Sequence, residues 1–249
     1  MSSHPTEAAH GPVVESSSAP VLELAGMKAA YGPIEVLHGV DLVVGAGQVV
    51  ALFGPNGGGK STTLKVAAGL LPATAGEVRY AGRSVLGVTA QEAAALGVCL
   101  IPEGRGVFAN LTVRENLWLA TGTGSARSAV EEAAFARFPI LADRRHQLAG
   151  SMSGGEQQML ALSRALASDP VILLLDELSM GLAPMIVTEM YETVSRLVEE
   201  GISVLVAEQF AGTVLPIADV AAVMLNGRIT AVGSPADIAA DLETAYLGA

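Results

Sequence analysis

Nine consecutive residues between a predicted strand and a predicted helix have the types and spacing of a phosphate-binding loop. An apolar run ends at Phe53, and the loop follows as Gly54, Pro55, Asn56, Gly57, Gly58, Gly59, Lys60, Ser61 and Thr62. Glycines let backbone N–H groups approach a phosphate closely, and the next helix directs its positive end at the same anion. We expect Lys60 to reach the β- and γ-phosphates and the Ser61 hydroxyl to bind Mg²⁺. A flexible glycine linker is the alternative, and the flanking strand and helix disfavour it.

Two adjacent carboxylates, Asp176 and Glu177, follow a second apolar run over residues 171–175. In a mostly parallel sheet, ligands bind at the carboxyl ends of the strands, so these carboxylates and the phosphate loop are predicted to meet. We expect Asp176 to share Mg²⁺ with Ser61, and Glu177 to polarise the attacking water. For the pair by itself, an ordinary exit from strand to loop is the alternative. Combined with the loop, the pair indicates nucleotide hydrolysis.

A second glycine-bearing turn opens a predicted helix at Ser153, Gly154, Gly155 and Glu156. A turn of this kind at a helix N-terminus is also suited to bind an anion. A head-to-tail dimer explains why one chain has one nucleotide loop and two anion cradles, because each turn would close over the γ-phosphate held by the other chain. A plain N-cap by Ser153 is the alternative, and it is favoured when the segment is considered alone.

The composition of the 249 residues favours a cytoplasmic globular protein with a large core. Apolar residues make up 51% of the chain, yet no apolar run approaches the roughly 18 residues of a membrane-spanning helix. The one cysteine, Cys99, forms no internal disulfide, and the first residues lack the pattern of a signal peptide. The net charge of −11 argues against broad nucleic-acid binding, and the four scattered histidines argue against a structural metal site.

Predicted strands and helices alternate along most of the chain, which indicates an α/β fold with a mostly parallel, covered sheet. The predicted strands lie at residues 21–24, 36–44, 48–53, 76–80, 97–101, 171–175 and 202–207. The predicted helices lie at residues 90–96, 112–119, 126–137, 185–199 and 235–242 and near Thr213, with a hairpin turn at Asn226 and Gly227. Residues 1–20 lack periodicity and are predicted to form a disordered tail, and residues of about 104–150 a helical insert.

An aromatic residue, Tyr31, stands just before a Gly-Pro turn. A base can stack on such a ring, because every purine has a π-face. The ring can equally cover the edge of a sheet, and the local sequence favours neither interpretation.

The three motifs together resemble those of ABC-transporter ATPase subunits. The resemblance is carried by residues 54–62, 152–158 and 175–177, in the same order and at similar spacing. It implies an α/β P-loop NTPase fold over residues 21–249, with a mostly parallel core sheet, an N-terminal antiparallel β subdomain and the helical insert. It also implies that Tyr31 stacks on adenine, that Ser153 and Gly155 contact the partner's γ-phosphate, and that residues 179–182 line the dimer seam.

Further strings resemble the LivF-type subunits of branched-chain amino acid importers. They are residues 102–105, Phe108, residues 145–150, residues 181–184, Glu208 with Gln209, and residues 245–248. Urea and short-amide importers have similar subunits, so these strings leave both kinds of importer open.

Two departures from the general ABC pattern matter. Glu103 stands where most members have a glutamine that touches Mg²⁺ and senses the membrane subunit, and a carboxylate there can still be a metal ligand. Gln209 stands where most have a histidine at the γ-phosphate; glutamine donates a hydrogen bond but carries no charge. Both residues resemble the LivF-type subunits, and they leave open how fast ATP is hydrolysed at this site.

The resemblance implies an ATPase subunit of an importer at the cytoplasmic face of the cell membrane, with ATP and Mg²⁺ as cofactors. The expected partners are a second ATPase subunit in a homo- or heterodimer, two membrane permease subunits and, indirectly, an extracytoplasmic substrate-binding protein. A soluble ABC-type switch without a membrane partner is the alternative from another class, and the single cassette in this chain disfavours it. An exporter cassette is disfavoured by Glu103 and Gln209.

Overall fold

The strands of the protein form two sheets with different pairing. The computed structural model describes residues 19–85, 87–104, 106–121 and 125–240. The strands are β1 (Pro20–Tyr31), β2 (Ile34–Gly45), β3 (Val49–Phe53), β4 (Ala75–Tyr80), β5 (Arg83–Ser84), β6 (Val98–Ile101), β7 (Ile172–Asp176), β8 (Ser203–Glu208), β9 (Val220–Leu225) and β10 (Arg228–Gly233). The helices are α1 (Lys60–Ala67), α2 (Ala90–Ala95), α3 (Val113–Leu119), α4 (Ser125–Arg137), α5 (Pro139–Asp143), α6 (Gly154–Leu166) and α7 (Pro184–Glu199).

The larger sheet has the strand order β10-β9-β3-β8-β7-β6. All its pairings are parallel except the one between β9 and β10. Every residue of β3, β7 and β8 is buried, which is why these strands are continuous apolar runs in the sequence. The predicted α/β class with a mostly parallel core sheet is confirmed.

Side chains of alternate residues along the central strands enter two separate cores. In β7, Leu173 and Leu175 pack with α6 and α7, whereas Ile172 and Leu174 face α1 and the smaller sheet. The alternation follows from the two-residue period of a strand. The core sheet is therefore covered on both faces, and only its strand ends are open to a ligand.

The smaller sheet is antiparallel, with the order β2-β1-β4-β5. Its first strand, β1, runs well beyond the strand predicted at 21–24 and ends at Tyr31. A break in the pairing between Leu24 and Met27, with Gly26 at φ 55°, interrupts the alternation of apolar and polar residues and hides the strand in the sequence. Pro20 already belongs to β1, and the rest of the predicted tail, apart from Ala19, lies outside the described residues.

Helices α3, α4 and α5 lie between β6 and α6, in the region predicted to be a helical insert. The N-terminus of α3 has the predicted capping box, in which Thr112 and Glu115 satisfy each other's backbone N–H groups. The insert is tied to the rest of the chain by an ion pair between Arg137 and Glu200, whose atoms lie 2.9 Å apart. No helix among the described residues is both long and apolar enough to cross a bilayer.

The C-terminal segments depart in part from the prediction. The helix predicted near Thr213 is wrong, since the chain there forms two 3₁₀ turns, Ala211–Thr213 and Leu215–Ile217. Pro216, which lacks an N–H group, prevents the continuous ladder that an α-helix needs. The hairpin turn at Asn226 and Gly227 is present, with φ angles of 48° and 72°. Residues 235–240 are helical, and the last two residues of that predicted helix lie outside the described part.

Candidate nucleotide-binding site

Three central strands end at the same level and bring the predicted site residues together. In the parallel register, Phe53 of β3 faces Glu208 of β8, and Asp176 of β7 faces Ala207. The loop after β3 and the carboxylates after β7 therefore emerge at one edge of the sheet, although β8 lies between their strands. This is the carboxyl edge, where open α/β sheets bind ligands.

Close approaches of the backbone explain the glycines of the loop. A Cβ atom at Gly54 would lie 2.1 Å from the Met224 carbonyl oxygen, and one at Gly58 would lie 2.9 Å from the Pro55 oxygen. Gly59, with φ 111°, adopts a left-handed conformation that side chains disfavour. The β9–β10 turn also supports the loop, because the Gly227 N–H donates to the Gly58 oxygen at 2.8 Å. Sequence reasoning missed this contact, which joins distant parts of the chain.

Lys60 is the first residue of α1, and its side chain is only 4% exposed. Its Nζ donates to the carbonyl oxygens of Gly54 at 2.8 Å and Pro55 at 3.2 Å. The same Nζ lies 3.6 Å from Glu177 Oε1. The N-cap residue of α1 is Gly59, which has no side chain to cap the helix, so the N-terminal N–H groups of α1 are suited to an anion. The ammonium and the helix end thus present positive charge on one loop.

The Ser61 hydroxyl donates a hydrogen bond to Asp176 Oδ1 at 2.9 Å. Asp176 is only 3% exposed, and this burial raises its pKa; the charges of Glu177 and Glu103 act in the same direction, whereas the Ser61 hydrogen bond opposes them. No group of three or more His, Cys, Asp or Glu side chains in the described residues is arranged around a metal. A hydroxyl beside one or two carboxylates nevertheless fits Mg²⁺, which takes its remaining ligands from phosphate and water.

A cavity of about 460 Å³ opens over the loop. Its walls are Val36, Asn56, Gly57, Gly58, Gly59, Lys60, Ser61, Thr62, Glu103 and Glu177. The structure thus brings Glu103, predicted as a metal ligand, to the same cavity as the phosphate loop. Val36 was missed by sequence reasoning, because an apolar residue in a strand has no pattern that distinguishes a ligand contact from a core contact.

Several predicted site residues do not line the cavity: Gly54, Pro55, Tyr31, Asp176, Gln209 and residues 153–156. Tyr31 is 45% exposed at the end of β1, and Gln209 is exposed immediately after β8. Asp176 lies beneath the cavity, joined to it by Ser61. Both exposed residues are free to meet a ligand or a partner larger than the cavity itself.

Glu177 has a left-handed backbone, with φ 50°, which is uncommon for a residue other than glycine. Its N–H donates to the Ala207 oxygen at 2.9 Å, and its side chain is 10% exposed. Strained backbone of this kind persists only where surrounding contacts hold it, and it is found preferentially at functional sites.

The turn at residues 153–156 is the N-terminus of α6. Ser153 caps the helix: its Oγ accepts from the Glu156 N–H at 3.4 Å, and its own N–H donates to Glu156 Oε2 at 2.8 Å, so the plain N-cap expected as the alternative is present. Gly155 has a further role, since a Cβ atom there would lie 2.5 Å from Ile186 Cγ2. Ser153 is exposed, and neither it nor Gly154, Gly155 or Glu156 lines the cavity over the phosphate loop.

Known proteins similar to this chain agree on one family. Residues 37–179 match the family model described as ABC transporter. The chain is 42% identical over 223 residues to the high-affinity branched-chain amino acid transport ATP-binding protein BraG of Pseudomonas aeruginosa, covering 88% of this chain and 95% of that one. It is 33% identical over 217 residues to the probable branched-chain amino acid transport ATP-binding protein LivF of Archaeoglobus fulgidus, covering 86% and 92%.

Solved structures give the same result. The ADP conformation of an ATP-binding cassette of an ABC transporter matches with a TM-score of 0.80 and 27% identity, covering 92% of this chain and 99% of that one. A nucleotide-free ATP-binding cassette matches with a TM-score of 0.77 and 28% identity, covering 86% and 91%. The resemblance inferred from the three motifs is confirmed: the chain belongs to the ABC transporter family, as an ATP-binding subunit that hydrolyses ATP.

Proposed function

We propose that this chain is the ATPase subunit of an importer for branched-chain or other hydrophobic amino acids. The observation that carries the proposal is the 42% identity to BraG, which extends over nearly the whole of both chains. The second relative, probable LivF, has the same named substrate class. As a peripheral subunit, the chain would lie at the cytoplasmic face of the cell membrane, held there by two permease subunits.

The site geometry supports one assignment of roles within the nucleotide site. Lys60 binds the β- and γ-phosphates, Gly57 to Gly59 and Thr62 surround them, and Tyr31 stacks on the adenine. Ser61 and Asp176 would hold Mg²⁺, which would offset the charge of the phosphates, and Glu103, which lines the same cavity, would add a ligand. Glu177 orients and deprotonates the attacking water, and Gln209 donates a hydrogen bond to the γ-phosphate.

The turn at residues 153–156, in which Ser153 is exposed, supports a head-to-tail dimer with a second ATPase subunit, either a copy of this chain or a related one. In such a dimer Ser153 and Gly155 bind the γ-phosphate on the partner, at the positive end of α6. The cavity over the phosphate loop is open to solvent and contains none of these residues, so the site needs a further wall.

One exposed aromatic side chain and one exposed aliphatic side chain support a contact with the permeases through the surface that runs from Glu103 to Leu119. Phe108 is 51% exposed and Leu119 is 55% exposed. Closure of the dimer would then pull this surface and the attached permeases together. A substrate-binding protein outside the membrane would act only through those permeases.

A dimer-trapping experiment tests the mechanism. In Glu177→Gln the water loses its base while Lys60, Ser61 and the loop remain, so the variant should bind Mg-ATP, elute as a stable dimer and hydrolyse ATP at least about 100-fold more slowly. Size-exclusion chromatography with light scattering, with and without ATP, measures the association. A monomeric variant with normal turnover contradicts the assigned role of Glu177.

Uptake measurements test the substrate class. A strain in which the gene for this chain is deleted should lose uptake of labelled leucine, isoleucine and valine. The wild-type chain should restore it, whereas Glu177→Gln should not. Unchanged amino acid uptake with loss of labelled urea uptake would replace the proposal by the urea importer. Loss of neither, with no permease co-purifying from the membrane, would favour the soluble switch.

A further inference from the structure

We propose that Glu208 is a positioning residue for ATP hydrolysis: its buried carboxylate fastens Ser179 to the end of β8 and thereby holds Glu177 in its catalytic conformation. The proposal rests on the proposed role of Glu177 as the base. It assigns a purpose to a buried charged group that lies next to Gln209 but does not line the cavity over the phosphate loop.

Glu208 ends β8 and is only 2% exposed. Its Oε1 accepts a hydrogen bond from the Ser179 N–H at 2.9 Å, and its Oε2 accepts one from the Ser179 hydroxyl at 2.8 Å. The Tyr191 hydroxyl of α7 also donates to Oε1. One carboxylate thus receives both donors of Ser179 and one donor from α7.

Among the residues that the structure describes, the charge of Glu208 has no cationic partner. None of the ion pairs formed by the described residues includes it. Burying a carboxylate with neutral donors alone is unfavourable compared with burying an apolar side chain. Fold stability is therefore a poor explanation for this residue, and a geometric requirement of the neighbouring site is a better one.

The segment at residues 177–179 is also joined to β8 by a backbone hydrogen bond, next to the contacts of Glu208. The Glu177 N–H bonds to the Ala207 oxygen at 2.9 Å, and two residues later Ser179 bonds to Glu208. Leu178, between them, is buried at 2% exposure. Residues 177 and 179 are thereby attached to consecutive residues of β8, on both sides of a buried anchor.

This attachment explains how Glu177 keeps its left-handed backbone of φ 50°. A strained conformation relaxes unless the flanking residues are fixed, and Ser179 is the nearest residue on its C-terminal side whose side chain forms a hydrogen bond. When Ser179 is released, Glu177 should leave the geometry from which it orients water. Nucleotide binding should not change, because the hydrogen bonds that the Glu208 carboxylate accepts come from Ser179 and Tyr191, not from Lys60 or the loop.

The test compares three substitutions by steady-state ATP hydrolysis and by nucleotide titration. Glu208→Ala should lower kcat about tenfold or more, with the nucleotide Kd changed by less than about twofold. Glu208→Gln should keep most of the wild-type kcat, because an amide of the same shape accepts from the Ser179 N–H and donates to its hydroxyl. Tyr191→Phe is the matched control, since it removes a hydrogen bond from the same carboxylate but leaves Ser179 attached, and its kcat should stay within about twofold.

A second variant keeps the test decisive if Glu208→Ala does not fold. Ser179→Ala removes only the hydroxyl and should lower kcat by a smaller factor, and the double variant with Glu208→Ala should be no slower than Glu208→Ala alone. The proposal is overturned by wild-type kcat in Glu208→Ala or, if that variant does not fold, in Ser179→Ala. It is also overturned by equal losses in Glu208→Gln and Glu208→Ala, which would mean that charge, not position, matters. Failure of the proposed function would show differently, as normal turnover in Glu177→Gln.

Discussion

Lys60 Nζ lies 3.6 Å from Glu177 Oε1, and the two side chains are only 4% and 10% exposed. The same ammonium group holds the carbonyl oxygens of Gly54 and Pro55. One buried cation therefore joins the phosphate loop to the residue assigned as the base. A phosphate that enters the loop competes with Glu177 for this cation, so nucleotide binding and the release of Glu177 are linked through Lys60.

Replacing Lys60 by alanine should therefore have two effects. Nucleotide affinity should fall at least about tenfold, which corresponds to about 1.4 kcal/mol, because the loop loses its only side-chain cation among the described residues that line the cavity. The free energy of unfolding should also fall, because Glu177 then lacks a partner for its nearly buried charge. Titration with a fluorescent ATP analogue and urea denaturation measure the two effects.

A second lysine on the same helix provides the control. Lys65→Ala removes an equal charge from α1 without touching Gly54, Pro55 or Glu177, and we expect its nucleotide affinity to remain within about twofold of the wild type. Wild-type affinity in Lys60→Ala would mean that the loop does not bind phosphate and would remove the basis of the whole site.

The raised pKa of Asp176 makes the apo protein's stability depend on pH. The folded chain binds a proton at this carboxyl more readily than the unfolded chain, whose Asp titrates near the ordinary value of 3.8. The free energy of unfolding contributed by Asp176 therefore falls as pH rises from about 3.8 through the folded-state pKa. Above the folded-state pKa the full penalty of a buried, ionised carboxylate is present.

Asp176→Asn should remove that penalty and keep the Ser61 hydrogen bond, because the amide oxygen also accepts. We expect the variant to melt about 2–4 °C higher than the wild type at pH 7.5 without Mg²⁺, the shift that about 1 kcal/mol gives in a chain of this size. The gain should shrink as the pH approaches 4, and Mg-dependent ATP hydrolysis should be lost. Thermal melts from pH 4 to 8 measure the trend. Asp143→Asn, outside the site on α5, should show neither effect, and a lower melting temperature for Asp176→Asn would mean that burial of this carboxylate does not destabilise the fold.

The predicted strands and helix ends have one thing in common: each depends on residues that are close together in the sequence. Neighbouring residues form the continuous apolar runs of β3 and β7 and the capping box at Thr112 and Glu115, so a short stretch of sequence is enough to predict them. The extension of β1 to Tyr31 was missed because a bulge near Gly26 changes which face each side chain occupies. The order of the strands in the sheets depends on packing between distant segments, which no single stretch contains.

The site likewise contains some residues that the local sequence predicts and others that it does not. Gly54 to Thr62 and the pair Asp176 and Glu177 were predicted as site residues because their types and spacing have few other uses. Val36 and Glu208 were not assigned roles, since one looks like any strand residue and the other like any polar strand end. Their positions follow only from the antiparallel sheet beside the loop and from the packing of α7 on β8.

The tight contact between Gly155 and Ile186 separates the two explanations of the turn at residues 153–156. A methyl group at residue 155 would lie 2.5 Å from Ile186 Cγ2, so Gly155→Ala should destabilise the fold by about 1–3 kcal/mol. Adding Ile186→Ala removes the obstructing atom and should recover much of that loss, which urea denaturation of the two single variants and the double variant measures. Gly212→Ala is the control, because a Cβ there meets nothing within 4 Å.

ATP hydrolysis in the same variants then shows what Gly155 does beyond packing. If the turn binds the partner's γ-phosphate, a methyl group at residue 155 blocks the close approach of its N–H, and the double variant should remain at least about tenfold slower than Ile186→Ala alone despite its recovered stability. Recovery of both stability and hydrolysis would mean that Gly155 serves only the packing of α6 on α7. In that case the second anion cradle, and the dimer argued from it, would lose their support.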